Sequence, residues 1–447
     1  MLSVLRNLFM ASCFLATPAL AVDWLVTDPG DAGDGTCDAS CTLRDAITAS
    51  AEDDRILIDP LLPAPIELEL TGTPLFIDVP LRIIGADGVP TILRRTAGDG
   101  RLLEFGANAD VRIVGLGFEN GNVLSLTSGT PAEGGAILTA AGSTLELRDC
   151  VFRNNRATGS VAPMDFDGII DARGGAVAAH GDLLIENCAF VGNRATGSAG
   201  TAGMPEIHAS GGDGGDAEGG AIFANAAADI LNSTFNDNQA MAGGGGFGTI
   251  FATMGGGGGN GGNAAGGAIF IANGGSGTLA FSTLIGNLTQ AGAGGAGGVG
   301  STTGPDGAAG VATGTALQSD GDLLLNTSVI VGDGMTSTCE GATITLRTDN
   351  LVSDADCPGS IVADLELQFE PINSLAASPH FRPLPGSAAV DTSPDCLDAL
   401  GAELVDLDQL IATRPMTYQA TPVCDFGAIE FTPVIFADGL ETPPPAP

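Results

Sequence analysis

Short runs in which every second residue is apolar recur along most of this chain. Leu145/Leu147, Leu183/Ile185 and Leu323/Leu325 are examples. That alternation predicts short β-strands, and no stretch of these repeats carries the 3.6-residue period of an amphipathic helix. The runs belong to a larger repeat. It opens with Gly-Gly-Ala and an aliphatic residue, at Gly134–Ile137, Gly174–Val177, Gly219–Ile222 and Gly266–Ile269. It closes with a large apolar residue followed three places on by asparagine, at Phe152/Asn155, Phe190/Asn193, Phe235/Asn238 and Leu284/Asn287. A faded fifth copy, Thr313–Leu317, places Val329 in the aromatic slot and Gly332 in the amide slot. Each core spans 20 or 22 residues. A pattern repeated at such intervals signals a solenoid.

Three short strands per core, turned by Gly and Asn, make one coil of a parallel β-helix, with coils stacked about 4.8 Å apart. Stacking predicts columns. Phe152, Phe190, Phe235, Leu284 and Val329 form an interior apolar column. Asn155, Asn193, Asn238 and Asn287 form an amide ladder, each side chain bonding the coils on either side. Cys150, Cys188, Ser233, Ser282 and Thr327 form a column of small residues just before the aromatic one. The intervals 156–173, 194–218, 239–265 and 288–313 are rich in Gly, Ala, Ser and Thr. They bury too little apolar surface to offset their ordering entropy. They therefore read as loops leaving one corner of the stack, either spacers or a binding edge, and deleting Gly255–Gly259 is expected to cost little.

The paired Gly-Gly-Ala-Ile and Phe-x-x-Asn motifs over residues 134–332 resemble the repeats of the chlamydial polymorphic outer membrane proteins and related bacterial surface proteins. The resemblance implies a right-handed parallel β-helix at the cell surface, with adhesive roles. The stretch Cys41-Thr-Leu-Arg-Asp-Ala-Ile47, after an Asp- and Gly-rich run, is similar to the motif of the CSLREA-domain proteins, with Thr42 for Ser and Asp45 for Glu. That implies an N-terminal cap over residues 22–60. A short helix from Cys41 to Ser50 would lay Leu43, Ala46 and Ile47 over the open end of the first coil. Leu384–Asp391, Asp408-Gln409, Arg414-Pro415 and Asp425–Glu430 resemble the choice-of-anchor Q domain, which implies a closing region over 339–431. The β-helix proper is then 61–338, and a proline-rich tail, 432–447, follows.

Residues 1–21 read as a secretory signal. Arg6 supplies the charge, Leu8 to Leu20 the apolar run, and Ala19-Leu20-Ala21 the cleavage pattern. The expected compartment is extracellular or the cell surface of a bacterium, where cysteines oxidise. Beyond Cys13, three local pairs suggest themselves: Cys37–Cys41, Cys339–Cys357 and Cys396–Cys424. Cys150 and Cys188 share one repeat position and form either a cross-rung disulfide or a stacked thiol pair.

Composition narrows the function. The chain has 16 Lys and Arg residues, every one an arginine, against 53 acids, a net charge of −37. Such a surface repels nucleic acid and anionic lipid. No stretch suggests membrane insertion, and a monomer is expected. Candidate chemistry is sparse. Asp165, Asp167 and Asp171, with Arg173 and His180 nearby, are the best carboxylate cluster for a glycan-cleaving reading. Asp28, Asp31, Asp34 and Asp38, which lack the spacing of an EF-hand, and the loop acids Asp213 and Asp216, whose loop does not recur in tandem as calcium-binding nonapeptide repeats do, are candidate calcium ligands. His180, His208 and His380 share no metal-ligand spacing. The favoured expectation is a structural or adhesive protein whose partner is a cell-surface protein or glycan. A polysaccharide lyase or glycoside hydrolase of the pectin-lyase-like fold is the alternative.

Overall fold

The computed structural model describes residues 21–161, 168–205, 209–251, 254–341, 343–373, 377–393, 396–397, 405, 407–412, 414 and 424–430. The expected leader as far as Leu20, Asp165, Asp167, His208 and the tail 432–447 lie outside the described residues.

The alternating runs do form stacked strands, and the molecule is a parallel β-helix. One coil runs through Ala132–Glu133, Ile137–Thr139, Thr144–Arg148, Val151–Arg153 and Arg156–Gly159. Each strand pairs in parallel with its equivalents one coil away, as Thr144–Arg148 does with Asp110–Val114 and Asp182–Glu186. Among the described residues the three central strands build core sheets of eight, ten and ten strands. The flanking strands build a fourth sheet through Arg156–Gly159 and a fifth through Ala132–Glu133, each of five strands.

The core is a set of vertical columns. The rings of Phe118, Phe152, Phe190 and Phe235 stack with centroids 4.7, 4.6 and 4.8 Å apart. Each is fully buried. Offset ring stacking adds to the area these side chains remove from water. Beside them the amide ladder is continuous. Asn155 Nδ2 donates to Asn193 Oδ1 at 3.0 Å, Asn193 Nδ2 to Asn238 Oδ1 at 3.0 Å, and Asn238 Nδ2 to Asn287 Oδ1 at 2.9 Å. The second proton of each Nδ2 goes to a carbonyl of the aromatic column, as Asn193 does to Phe152. Buried amides are thus satisfied, which removes the cost of burying them.

In the fifth coil the register differs from the sequence reading by one place. Leu284 pairs with Ile330, and Thr283 with Val329. Ser328 accepts the N–H of Ser282, so Ser328 and not Thr327 continues the small-residue column. Thr327 instead takes the left-handed turn position, φ 49°, equivalent to Asn187, Asn232 and Phe281. Counting from Gly332 as the missing asparagine placed the pattern one residue early.

The Gly-Gly pairs sit where the chain crosses itself. Their first glycines, Gly134, Gly174, Gly219 and Gly266, and Gly314 of the fifth copy, where Thr315 follows, have φ between 58° and 68°. The second glycine needs space. A Cβ on Gly175 would lie 2.4 Å from the Arg194 nitrogen and 2.2 Å from the Gly220 oxygen. This waist separates the triangular core from a second, narrow core of alanines: Ala132, Ala157, Ala172, Ala195, Ala217 and Ala240.

Beyond the waist the structure overturns the reading of the insertions as loops. The second to fourth insertions each leave and return as extended segments that form a two-layer bundle. Its hydrogen bonds have a strict period of three. In the outgoing layer Gly197, Gly200 and Gly203 donate to Met241, Gly244 and Phe247, and Ala242, Gly245 and Gly248 donate to Gln290, Ala293 and Ala296. In the returning layer Gly211 and Gly214 donate to Gly257 and Asn260, and Gly258 and Gly261 to Pro305 and Ala308. Bonds also cross between layers: Gly243 and Gly246 donate to Gly215 and Gly212, and Gly292, Gly295 and Gly298 to Gly262, Gly259 and Gly256. Burial follows the same period, with Gly292, Gly295 and Gly298 buried and Ala293, Ala296 and Val299 exposed.

A three-residue period in extended backbone is that of the polyproline II helix. Glycine is required here for close approach, since these crossing glycines have no positive φ. A Cβ on Gly246, Gly259 or Gly295 would fall 1.9 Å from a carbonyl oxygen of a neighbouring segment. The hydrogen in its place points at that oxygen, a weak Cα–H···O contact repeated across the bundle. In the third insertion, which has a neighbour on each side, two of every three N–H groups are bonded within the lattice, and the coil below holds both ends of each segment. That combination orders segments that lack large side chains.

The N-terminal end of the stack is covered. The helix Leu43–Ala49 has a capping box between Thr42 and Asp45, and buries Leu43 and Ala46 against the first strands. Ile47 packs at its margin. The region expected to close the other end lies instead along the flank: Leu365, Phe369, Phe381, Ala389 and Phe426 pack on Ile285, Val329 and Leu351, which alternate with the inward-facing Leu284, Ile330 and Val352 of one core sheet, and Gln409 reaches back to Thr234 in an earlier coil. Arg414, fully buried, bonds Glu430 Oε2 at 3.1 Å and the Gly427 carbonyl at 2.8 Å, and lies 4.7 Å from the Phe281 ring centroid. Disulfides join Cys37–Cys41, Cys339–Cys357 and Cys396–Cys424. Cys150 and Cys188 are free thiols, stacked so that the Cys150 N–H meets Cys188 Sγ at 3.4 Å.

Candidate functional site

The residue before each Gly-Gly pair belongs to the fifth sheet. Strand register therefore stacks Glu133, Arg173 and Glu218 as consecutive rungs. The positive-φ glycine that follows turns the chain into the first core sheet. Side chains on the outer faces of the two sheets consequently converge in a re-entrant corner.

Arg173 sits at its centre. Its Nε lies 2.8 Å from Glu218 Oε2, its Nη1 3.5 Å from Glu133 Oε1, and its guanidinium carbon 5.2 Å from the Phe223 ring centroid. His180, just past the strand Val177–Ala179, reaches back to Glu133 with Nε2 3.2 Å from Oε2. Its Nδ1 is 2.9 Å from Nδ2 of Asn225, one coil further on. Asn225 can only donate through that nitrogen, so Nδ1 accepts and the proton of a neutral ring lies on Nε2, facing Glu133. Phe223 forms the floor, almost fully buried, and stacks on Phe270 at 5.8 Å.

The corner sets these groups against one another. Burial pushes the Glu133 carboxyl up, but the hydrogen bond from His180 and the charges of His180 and Arg173 outweigh it and hold it below the usual range. Burial also pushes Glu218 up, and there Arg173 only partly offsets it, so Glu218 stays above the usual range. The bond to Glu133 raises His180 against the opposing effect of burial. Two carboxylates on one arginine are thus pushed in opposite directions, a pattern that separates acid from base roles.

The candidates from the sequence have other surroundings. Asp171 is close to this corner, and its Oδ1 accepts the Asp216 N–H at 2.9 Å. Asp213 and Asp216 accept the N–H groups of Asn260 and Asn263, each at 2.6 Å. Asn260 and Asn263 in turn accept from Ala308 and Val311, each at 2.9 Å. These Asx side chains satisfy the outward N–H groups of the returning layer. Asp31 is a buckle for the N-terminal loop. Its Oδ1 takes Arg44 at 2.7 Å, and its Oδ2 takes the N–H groups of Thr71 and Gly72 at 2.8 and 2.6 Å. Asp28, Asp34 and Asp38 accept local turn N–H groups from Gly30, Thr36 and Ser40. Among the described residues no three or more His, Cys, Asp or Glu side chains converge as a metal site requires. His380 lies apart, its Nδ1 2.8 Å from the Ser378 carbonyl.

Glu133, Glu218 and Asn225 were not among the sequence candidates. The signal was present: the first two occupy the position before Gly-Gly in adjacent repeats, where Arg173 alternates with them.

No family model matches the chain, and no curated protein matches it. Among solved structures it is similar to the pectate lyase Pel9A at 14% identity, with a TM-score of 0.29, over 92% of this chain and 96% of that one. So loose an overlap carries no argument about activity. Among the described residues no helix is long and apolar enough to cross a membrane.

Proposed function

We propose that this protein is an exported β-helix that works by binding, at a bacterial cell surface or after release, in the manner implied by its resemblance to CSLREA-domain and polymorphic outer membrane repeats. The observation that carries the reading is the corner at Arg173. Its ionisable groups are held by one another over an aromatic floor, a pre-organised polar surface of the kind that ligands recognise. A glycan fits it well: hydroxyls would exchange bonds with Glu133, His180 and Asn225. Three disulfides support export to an oxidising compartment.

A second reading has its own observation. The opposed shifts of Glu133 and Glu218 suit general acid and base catalysis on a glycan. One experiment separates the two. The purified chain is incubated with immobilised neutral and acidic polysaccharides, and both retention and soluble products are measured. Retention without reducing ends or unsaturated products, weakened by Arg173→Ala, supports binding. Product release abolished by Glu218→Gln supports the enzyme. Neither retention nor product with any glycan, and no retention on bacterial or host cells, overturns both.

A further inference from the structure

The glycine bundle stops abruptly. After the fourth insertion the fifth coil turns at Asp333, whose Oδ1 takes the N–H groups of Met335 and Thr336. By Ser337 the chain is already back at the core, where its carbonyl accepts from Thr315. Nothing in that short turn covers the segments of the fourth insertion.

Every bond within a layer runs the same way, from the N–H of one insertion to a carbonyl of the next, as Gly200 to Gly244 and Gly245 to Ala293 show. The rim left by the fourth insertion is therefore a row of donors. By register the donating positions are Ala291, Gly294 and Gly297 in the outgoing segment, and Thr303, Asp306 and Ala309 in the returning one. Gly297 is taken by Asp306 Oδ1 at 2.8 Å. The other five N–H groups meet no acceptor among the described residues. Thr303, Asp306 and Ala309 are exposed.

This rim has the same liability as a bare sheet edge, but its period is three and it only donates. A second copy cannot pair with it edge to edge, since donors would face donors. A partner must bring carbonyls at every third residue along an extended backbone. Proline-rich polypeptide does so: polyproline II repeats every three residues, about 9.3 Å, and proline has no N–H seeking a partner of its own. The lattice below is the precedent, because each insertion already accepts a threefold extended segment in this register. We propose that the rim of the fourth insertion docks a proline-rich segment in the polyproline II conformation through the segment's backbone carbonyls.

The test uses the full chain and a decaproline peptide, with a Gly-Ser decapeptide as control. Amide resonances of Ala291, Gly294, Thr303, Asp306 and Ala309 are followed by NMR during titration. Decaproline should shift these five and slow their hydrogen exchange, and the control should not. The variant Ala291→Pro/Thr303→Pro/Ala309→Pro deletes three donors that meet no acceptor among the described residues, at positions without positive φ. It should keep its circular dichroism and melting temperature while binding roughly tenfold or more weakly. Should the triple variant fold poorly, Ala309→Pro alone still removes one donor of the returning row and must weaken binding. Unmoved rim amides, unchanged affinity in the variants, shifts centred instead on Phe247 and Val299, or self-association through the same amides would each overturn the proposal.

Discussion

The N–H of Gly246 bonds the carbonyl of Gly212 at 2.8 Å, joining two insertions that share no apolar side-chain contact at that point. Gly246 also lies where a Cβ would come within 1.9 Å of the Thr201 oxygen. Gly246→Ala is therefore expected to destabilise by about 2–3 kcal/mol or more, because backbone must move to admit the methyl group. Gly244, two residues away, faces outward, and its nearest neighbour would be the Ala293 oxygen at 3.5 Å. Gly244→Ala should change stability by no more than about 0.5 kcal/mol. Urea unfolding of the two variants checks the contrast, and equal effects would show that the period of three has been misplaced.

Asn193 makes bonds in both directions along the amide ladder. Its Oδ1 accepts from the Asn155 backbone and side chain at 3.1 and 3.0 Å, and its Nδ2 donates to Asn238 Oδ1. Asn193→Ala strands buried groups on both neighbouring coils. The expected cost is about 3 kcal/mol or more, from unsatisfied polar groups at roughly 1–3 kcal/mol each. The same substitution at exposed Asn260 removes one bond to the Ala308 N–H, which water can replace, and should cost well under half as much. Chemical denaturation of both variants reads the difference.

Phe190 stacks between Phe152 and Phe235 with no exposed surface. Phe190→Ala should cost about 3–5 kcal/mol. Phe247, on the outer face of the bundle, is 64% exposed. Phe247→Ala should leave the melting temperature nearly unchanged, and thermal unfolding distinguishes the two.

How far the fold could be read in advance follows from these cases. The phenylalanine and asparagine columns were legible because they need large or polar side chains at fixed intervals. The fifth-coil register was not, because Val329 and Ile330 are both apolar and only strand pairing chooses between them. The bundle was missed for a physical reason. Composition treats glycine as an entropic cost, whereas here the absent side chain is what admits the neighbouring carbonyl. Its signal was the spacing of Gly197, Gly200 and Gly203, or of Gly292, Gly295 and Gly298. Deleting Gly255–Gly259, expected from composition to be harmless, removes a number of residues that is not a multiple of three and so breaks the lattice phase.

The candidate site was half legible. Arg173 and His180 stood out by type, yet Asp165 and Asp167 drew attention by clustering in sequence. Only the strand register shows that Glu133 and Glu218 flank Arg173.

His180 gives the corner a pH dependence with a definite sign. Its pKa is raised in the folded state, chiefly by the bond to Glu133. The stabilisation is therefore fully present below its unfolded value, near 6.5, and is lost as pH rises through the higher folded value. His180→Gln should lower stability more at pH 5.5 than at pH 8.5. Melting temperatures of wild type and variant across that range test it. A constant difference would mean that the imidazole acts there only by packing.

The uniform direction of the bonds between insertions makes the molecule extensible. A duplicated copy of residues 219–265 would bring its own aromatic rung, its own ladder amide and two glycine segments whose donors and acceptors match those above and below. The stack could then lengthen by whole storeys while the N-terminal cap stays untouched. A ruler of adjustable height is thus built into the repeat, and selection can set its length by copying coils rather than inventing contacts.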